Sequence, residues 1–351
     1  FMKALYLILI FFLTVSHSIA QNNFAWANEF GGTGTNSGSV IQLDGAGNSY
    51  MAGLYPTSGI TFGSVTLPGS GSSENAFITK FDPLGNTVWA TRCKRIGGFD
   101  DQDNPNKLAI DASGNVYVAG IFLTGATIGT LGIPGDYGYF VAKLNNAGVA
   151  QWVKTINSPD NINAATISVF IDNQEQLTVI GLFNSSITFG TGNTLLNTLN
   201  TTLADAFLAK YDSAGTILSA IELGTLNPMP FNPNGSFIPE FFRIGNDGNI
   251  YRLVKNGTTI KKYDTNGILL LTKALNMTGT VYLLDLAADV NGNIFFNGYY
   301  EGNISIEGEP YNCLLNGGQT DGASIFIKLD LDRSLTGFIS ILDPENKYLP
   351  S

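Results

Sequence analysis

The apolar positions of this chain fall in short runs rich in Val, Ile, Tyr, Phe and Thr, broken repeatedly by Gly, Asn, Asp and Pro. Beyond the N-terminal apolar segment, no window sustains a long stripe of helical period, so the runs read as strands. One phrase recurs: an acidic residue, two variable residues, Gly-Asn, then an apolar strand ending in Gly. It reads Asp44-Gly45-Ala46-Gly47-Asn48 before SYMAG, Asp111-Ala112-Ser113-Gly114-Asn115 before VYVAG, and Asp289-Val290-Asn291-Gly292-Asn293 before IFFNG. A weaker copy is Asn246-Asp247-Gly248-Asn249 before IYRLV. A degraded copy starts at Asp172, where Glu175-Gln176 replaces Gly-Asn before LTVIG.

A second phrase follows each of these: an aromatic or apolar strand ending in Lys, one residue, then a polar turn. The strands end at Lys80, Lys143, Lys210, Lys262 and Lys328. The first four turns carry Gly, at Gly85, Gly148, Gly215 and Gly267, whereas the stretch from Asp330 to Arg333 does not. A third strand-like phrase then carries Trp89 in VWATR and Trp152 in QWVKT. Trp26 in FAWANEF is spaced from Trp89 as Trp89 is from Trp152.

The physical reading is a repeated four-stranded antiparallel unit. Asp-x-x-Gly-Asn makes a compact hairpin turn, because the carboxylate accepts backbone N–H bonds, Gly takes the positive φ, and Asn tolerates similar geometry. Asp44, Gly47, Asn48, Asp111, Gly114, Asn115, Asp289, Gly292 and Asn293 are therefore assigned structural roles, as are the Lys positions. Strand one ends at the Asp, strand two follows the Asn, strand three ends at the Lys, and strand four carries the Trp. One such sheet cannot cover both of its faces, and radial stacking of copies does. The expected fold is all-β, a β-propeller of about five, or six, four-stranded antiparallel blades. The units run to about 60 residues, longer than a bare blade. The excess sits between strands two and three, at 61–69, 127–135 and 187–196, as accessory hairpins. The strand around Trp26 either completes the last blade or belongs to a sixth. Trp26, Trp89 and Trp152 are expected to pack between blades, each costing roughly 3–5 kcal/mol on truncation if fully buried.

The combined pattern Asp-x-x-Gly-Asn-x-Tyr-Val-x-Gly, then Phe-x-x-Lys, then Gly-Asn-x-x-Trp resembles the bacterial SBBP-type β-propeller repeat. Residues 111–153 carry the resemblance most fully and 44–90 nearly as well, within units running from Phe24 to Leu342. The third and fourth units depart from it, at Glu175-Gln176 and at Gly245-Asn246-Asp247. The resemblance implies a propeller and frequent export, and it implies no catalytic residues.

The N-terminus changes the cellular picture. Lys3, the apolar run Ala4 to Val15 and Ser18-Ile19-Ala20 have the order of a secretory signal peptide. We expect a signal peptide at 1–20 and a single propeller domain at 21–351, secreted or at the cell surface, with no transmembrane segment after cleavage. The one histidine is His17. A mature chain without histidine excludes Ser-His-Asp and Cys-His catalysis and His-based metal sites. A net charge of −10 with no basic run excludes a nucleic-acid partner. Cys93 and Cys313 would meet oxidising conditions. They are either a disulfide, contributing roughly 4–5 kcal/mol through its long loop, or two separate thiols.

Candidate binding chemistry lies in the longer connections, two-to-three and four-to-one, which share one face: 55–75, 94–106, 122–138, 155–164, 223–238 and 300–323. Binding residues favour loops held by a rigid scaffold. Asp100, Asp101 and Asp103 form an acidic loop in which Asp101 and Asp103 could ligate calcium, a cation of hard oxygen ligands. Phe231 and Phe237 could shelve a sugar or peptide. No other cofactor is implied. The expected role is an extracellular binding scaffold for a glycan or a protein. The alternative is a carbohydrate-active hydrolase or lyase working through paired carboxylates. A carboxyl pushed to a raised pKa among inward acids would favour that alternative.

Overall fold

The computed structural model describes residues 26–34, 36–69, 75–97, 108–157, 167–172, 174–183, 185–190, 193–196, 205–225, 242–254, 259–306, 309–312 and 322–329. Every regular element among them is a strand. The first unit pairs Ser37–Leu43, Ser49–Tyr55, Asn75–Phe81 and Thr87–Gly97 in chain order. The second pairs Leu108–Ile110, Val116–Ile128, Tyr137–Leu144 and Ala150–Asn157. The third uses Ile167–Ile171, Leu177–Phe183, Asp205–Tyr211 and Ile217–Thr225, and the fourth Phe242–Ile244, Ile250–Val254, Thr259–Tyr263 and Leu269–Ala274. Of the fifth, the main strands Met277–Ala288, Ile294–Ile306 and Gly322–Leu329 are described. All neighbouring strands are antiparallel. These are the blades of a β-propeller.

Most of the core lies between successive sheets, and one further cluster packs the first unit on its own hairpin and Phe30. Tyr50 and Ile78 of the first unit bury against Val116 and Phe140 of the second. Tyr117 and Tyr139 of the second bury against Val179 and Phe207 of the third. Ile180 and Leu208 meet Ile250 and Tyr263, and Tyr251 and Ile260 meet Phe296 and Ile325. Central strands are buried on both faces, as Leu177–Phe183 is throughout. This is why they read as nearly continuous apolar runs rather than alternating ones.

Both kinds of turn share one geometry. At Asp111, the backbone closes through Asp111 N–H to Asn115 C=O and Gly114 N–H to Asp111 C=O. The Asp111 Oδ1 accepts from the N–H groups of Ser113 and Asn115 at 3.0 and 2.8 Å. The turns at Asp82, Asn145, Asp212 and Asp264, between strands three and four, repeat this closure and the same side-chain bonds. The degenerate third unit keeps it too: Glu175 sits at φ 58°, where its siblings use Gly.

In the fourth unit Gly245 takes the first turn position, and the carboxylate moves to Asp247. From there it accepts from the Asn249 side chain at 2.7 Å and the Tyr251 hydroxyl at 2.6 Å. In the second unit Asp111 accepts the same two kinds of bond, from Asn115 and Tyr117. A carboxylate displaced by two residues thus restores the same network.

The units are bolted together by their outer strands. The Trp89 indole N–H donates to the Asn146 carbonyl of the next unit's turn at 2.9 Å, and its ring covers Gly148. Trp152 donates to Ser213 at 3.1 Å over Gly215, and Trp26 to Pro83 at 3.2 Å over Gly85. The Trp residues do pack between blades, but they are partly exposed, Trp26 at 38 %. The full-burial cost therefore does not apply to them.

The accessory hairpins form a second bolt. Thr127 and Ile128 pair with Lys94 and Cys93 of the preceding outer strand, and Thr188 and Phe189 pair with Asn157 and Ile156. Thr61 makes the matching bridge to Gly31. The fourth unit has no such hairpin between its described second and third strands. Instead Arg252, 1 % exposed, donates to the carbonyls of Leu223 and Gly224 at 2.8 and 3.5 Å. Those carbonyls occupy the positions that the hairpins pair with in other units.

Candidate functional site

The first strands of the five described units face a common channel of about 1000 Å³. Gln42 and Leu43 come from the first unit, Leu108–Ile110 from the second, Val169–Ile171 from the third, Arg243–Gly245 from the fourth and Leu286–Ala288 from the fifth. The wall supplied by the first two units is largely apolar, with Leu43 67 % exposed. The opposite wall is polar. It carries Asp172, Gln174, Gln176 and Lys210 of the third unit, and Asn246–Asn249 and Asp264–Asn266 of the fourth. These are turn residues, so the polar rim lies on the face of the short turns.

The charges of this wall are already engaged. Lys210 pairs with Asp172 at 3.3 Å, Lys262 with Asp247 at 2.9 Å, and Arg243 with Asp285 at 2.8 Å. The Lys262 ammonium also sits 5.3 Å from the centre of the Tyr251 ring, a cation–π geometry. Burial opposes ionisation of Asp247, but hydrogen bonds from Tyr251, Asn249 and Lys262 outweigh it and hold the carboxyl below its ordinary 3.8. Burial and the Asp247 charge together push Tyr251 up. A general acid needs a carboxyl raised above its ordinary value, and Asp247 is moved the other way. Among the described residues no three His, Cys, Asp or Glu side chains gather as a metal site. No helix there is long and apolar enough to cross a membrane.

Asp44 and Asp289 carry the same bonds as Asp111. The candidate ligand residues Asp100, Asp101, Asp103, Phe231 and Phe237 lie outside the described residues, as do Cys313 and residues 1–20. Cys93 is a buried free thiol, and burial pushes it up to about 12. On the face of the long connections, the described parts of 55–75 and 122–138 are the accessory hairpins, packed against the neighbouring unit. These hairpins tie into the scaffold by strand pairing. The channel residues escaped the sequence reading, although one signal was present: the two units whose turns line the channel are the two that depart from the repeat.

Comparison with known proteins finds the following similarities. A curated relative is an uncharacterized WD repeat-containing protein of Acanthamoeba polyphaga mimivirus, 28 % identical over 193 residues, which is 49 % of this chain and 13 % of the relative. The chain thus matches a small part of that relative's length. Solved structures that resemble it include a protein of unknown function from Bacteroides caccae, at a TM-score of 0.35 and 13 % identity, covering 75 % of this chain and 67 % of that one. A catalytically inactive virginiamycin B lyase from Staphylococcus aureus, crystallised with quinupristin, aligns at a TM-score of 0.33 and 10 % identity, covering 84 % and 92 %. The profile of the SBBP β-propeller repeat matches residues 93–120, from the end of one outer strand through the Asp111 turn to Gly120. This chain therefore carries a β-propeller repeat of the SBBP type.

Proposed function

We propose that the chain is an exported, extracellular binding scaffold that holds its ligand without transforming it. The observation that carries this reading is the engagement of the ionisable groups around the channel. Asp172, Asp247 and Arg243 are tied into turns and ion pairs, and what faces the space is chiefly amide and apolar side chains. Such a lining recognises shape and hydrogen-bonding pattern and offers no proton-transfer pair. The order of charge, apolar run and small residues over 1–20 supports export, and with it a partner met outside the cell.

The test is to incubate the folded chain with glycan and protein libraries, recover what is retained, and analyse it by mass spectrometry. Cell fractionation of the full-length chain runs beside it. The reading predicts ligand recovered intact and a chain found outside the cytoplasm with Gln21 at its N-terminus. Turnover of the ligand, or an unprocessed cytoplasmic chain, contradicts it.

A further inference from the structure

The strand-one-to-two turns of the first, second and fifth units keep the repeat and do not line the channel. Those of the third and fourth units break it and do line the channel. In the third unit, Gln174, Glu175 and Gln176 stand where the second unit has Ser113, Gly114 and Asn115. Glu175 accepts a positive φ of 58° that Gly would adopt without strain. Backbone strain of this kind persists where something other than stability selects the residue. The departure gains the amides of Gln174 and Asn246 and the exposed carboxylate of Glu175, and Gln176 keeps the amide of Asn115: the Gln176 amide donates to the Gln174 carbonyl at 3.3 Å, and Asn246 stands exposed on the adjoining turn. The Asn246 backbone N–H bonds the Ala288 carbonyl of the fifth unit at 3.0 Å, which fixes that turn on the channel rim.

We infer that the channel mouth at the third and fourth units binds a neutral oligosaccharide, an inference that rests on the binding-scaffold reading above. The chemistry selects the class. Each amide presents both a donor and an acceptor, which matches hydroxyl groups that do the same. Gln174, Gln176, Asn246 and Asn266 ring one side of the space. Exposed Leu43, with half-buried Ala109 and Ile110 beside it, gives the other side an apolar wall for the C–H face of a sugar ring. An anionic ligand would need a cation to spare, and Lys210 and Arg243 are each in an ion pair. On the same wall Asp172 and Asp247 are likewise in ion pairs, and Asp264 accepts from the N–H groups of its own turn.

The experiment restores the repeat. One variant carries Gln174→Ser, Glu175→Gly and Gln176→Asn in the third unit and Asn246→Ala in the fourth. Both it and the parent chain are screened on an array of neutral oligosaccharides (glucans, mannans, galactans) with sialylated and sulfated arms, and hits are titrated by calorimetry. The inference predicts that the parent binds neutral glycans, that the variant loses about tenfold or more in affinity, and that the thermal midpoint of the variant is unchanged or higher. Because the substitutions install the residues of sibling turns, loss of binding is separable from loss of fold. Neutral glycan binding that survives the substitutions overturns the site. Binding confined to acidic glycans, or to a protein bait with no glycan bound, overturns the ligand class and leaves the scaffold reading standing. No retention of any ligand overturns both.

Discussion

Replacing Glu175 by glycine is expected to stabilise the chain, although it removes a side chain and adds backbone freedom. Glu175 occupies φ 58° at the position where Gly47, Gly114 and Gly292 take 82°, 76° and 80°. An L-residue in that region costs about 1–2 kcal/mol. Glycine surrenders about 0.5–1 kcal/mol more conformational entropy on folding. The difference favours Glu175→Gly by about 0.5–1 kcal/mol. Glu175→Ala keeps the strain and removes the carboxylate, and is expected to be close to neutral, which isolates backbone from charge. Gly114→Ala is the mirror experiment. It introduces the strain and sets a methyl 3.0 Å from the Asn146 side chain, so a loss of about 1–2 kcal/mol is expected. The assay is urea denaturation of the full chain, read as a midpoint shift at constant slope. A lower midpoint for Glu175→Gly, or an unchanged one for Gly114→Ala, would refute the claim that the two turns share one geometry.

Three further outcomes follow from the same structure. Gly148→Ala combines φ 77° with a methyl 2.5 Å from the Trp89 ring, so it should lower the urea midpoint more than Gly114→Ala does; equal effects would deny the indole its place on that turn. Arg252→Met leaves the Leu223 carbonyl without its charged donor, and the loss should be about 2–3 kcal/mol after the relief of burying the charge is set against it; a neutral result would mean that the guanidinium does not replace the missing hairpin. Asp44, Asp82, Asp212, Asp247 and Asp289 are all held below 3.8, so the stability they contribute is present above that value and is lost as pH falls through their folded values. Thermal midpoints should drop on acidification below about pH 4, less steeply in Asp247→Asn, and identical slopes would contradict the assignment.

What the sequence disclosed was local. Asp111 to Asn115 names its own turn, because a carboxylate, a positive-φ residue and a closing pair all lie within five positions. The buried strands declared themselves by composition, and the even spacing of Trp26, Trp89 and Trp152 marked the junctions. Hidden from a linear reading was everything that depends on how one unit sits on the next. The indole of Trp89 reaches a carbonyl far along the chain at Asn146, and Thr127-Ile128 pairs back to Cys93-Lys94. Arg252 in IYRLV looks like an ordinary strand residue, and only the missing hairpin beside it gives it a task. The channel is similarly non-local, since Gln42 and Asn246 share it only after five sheets have been stacked. The irregular turns at Glu175 and Asp247 were visible as defects in a repeat, and their common position on the channel rim required the structure.

The most direct test of the account is a crystal structure of the chain grown with a neutral oligosaccharide identified on the array. The first strands of the described units are expected around one channel, with sugar density between the amides of Gln174, Gln176 and Asn246 and the apolar wall at Leu43 and Ile110. Density seated instead on the connections between units, with the channel mouth free of ligand, would contradict it.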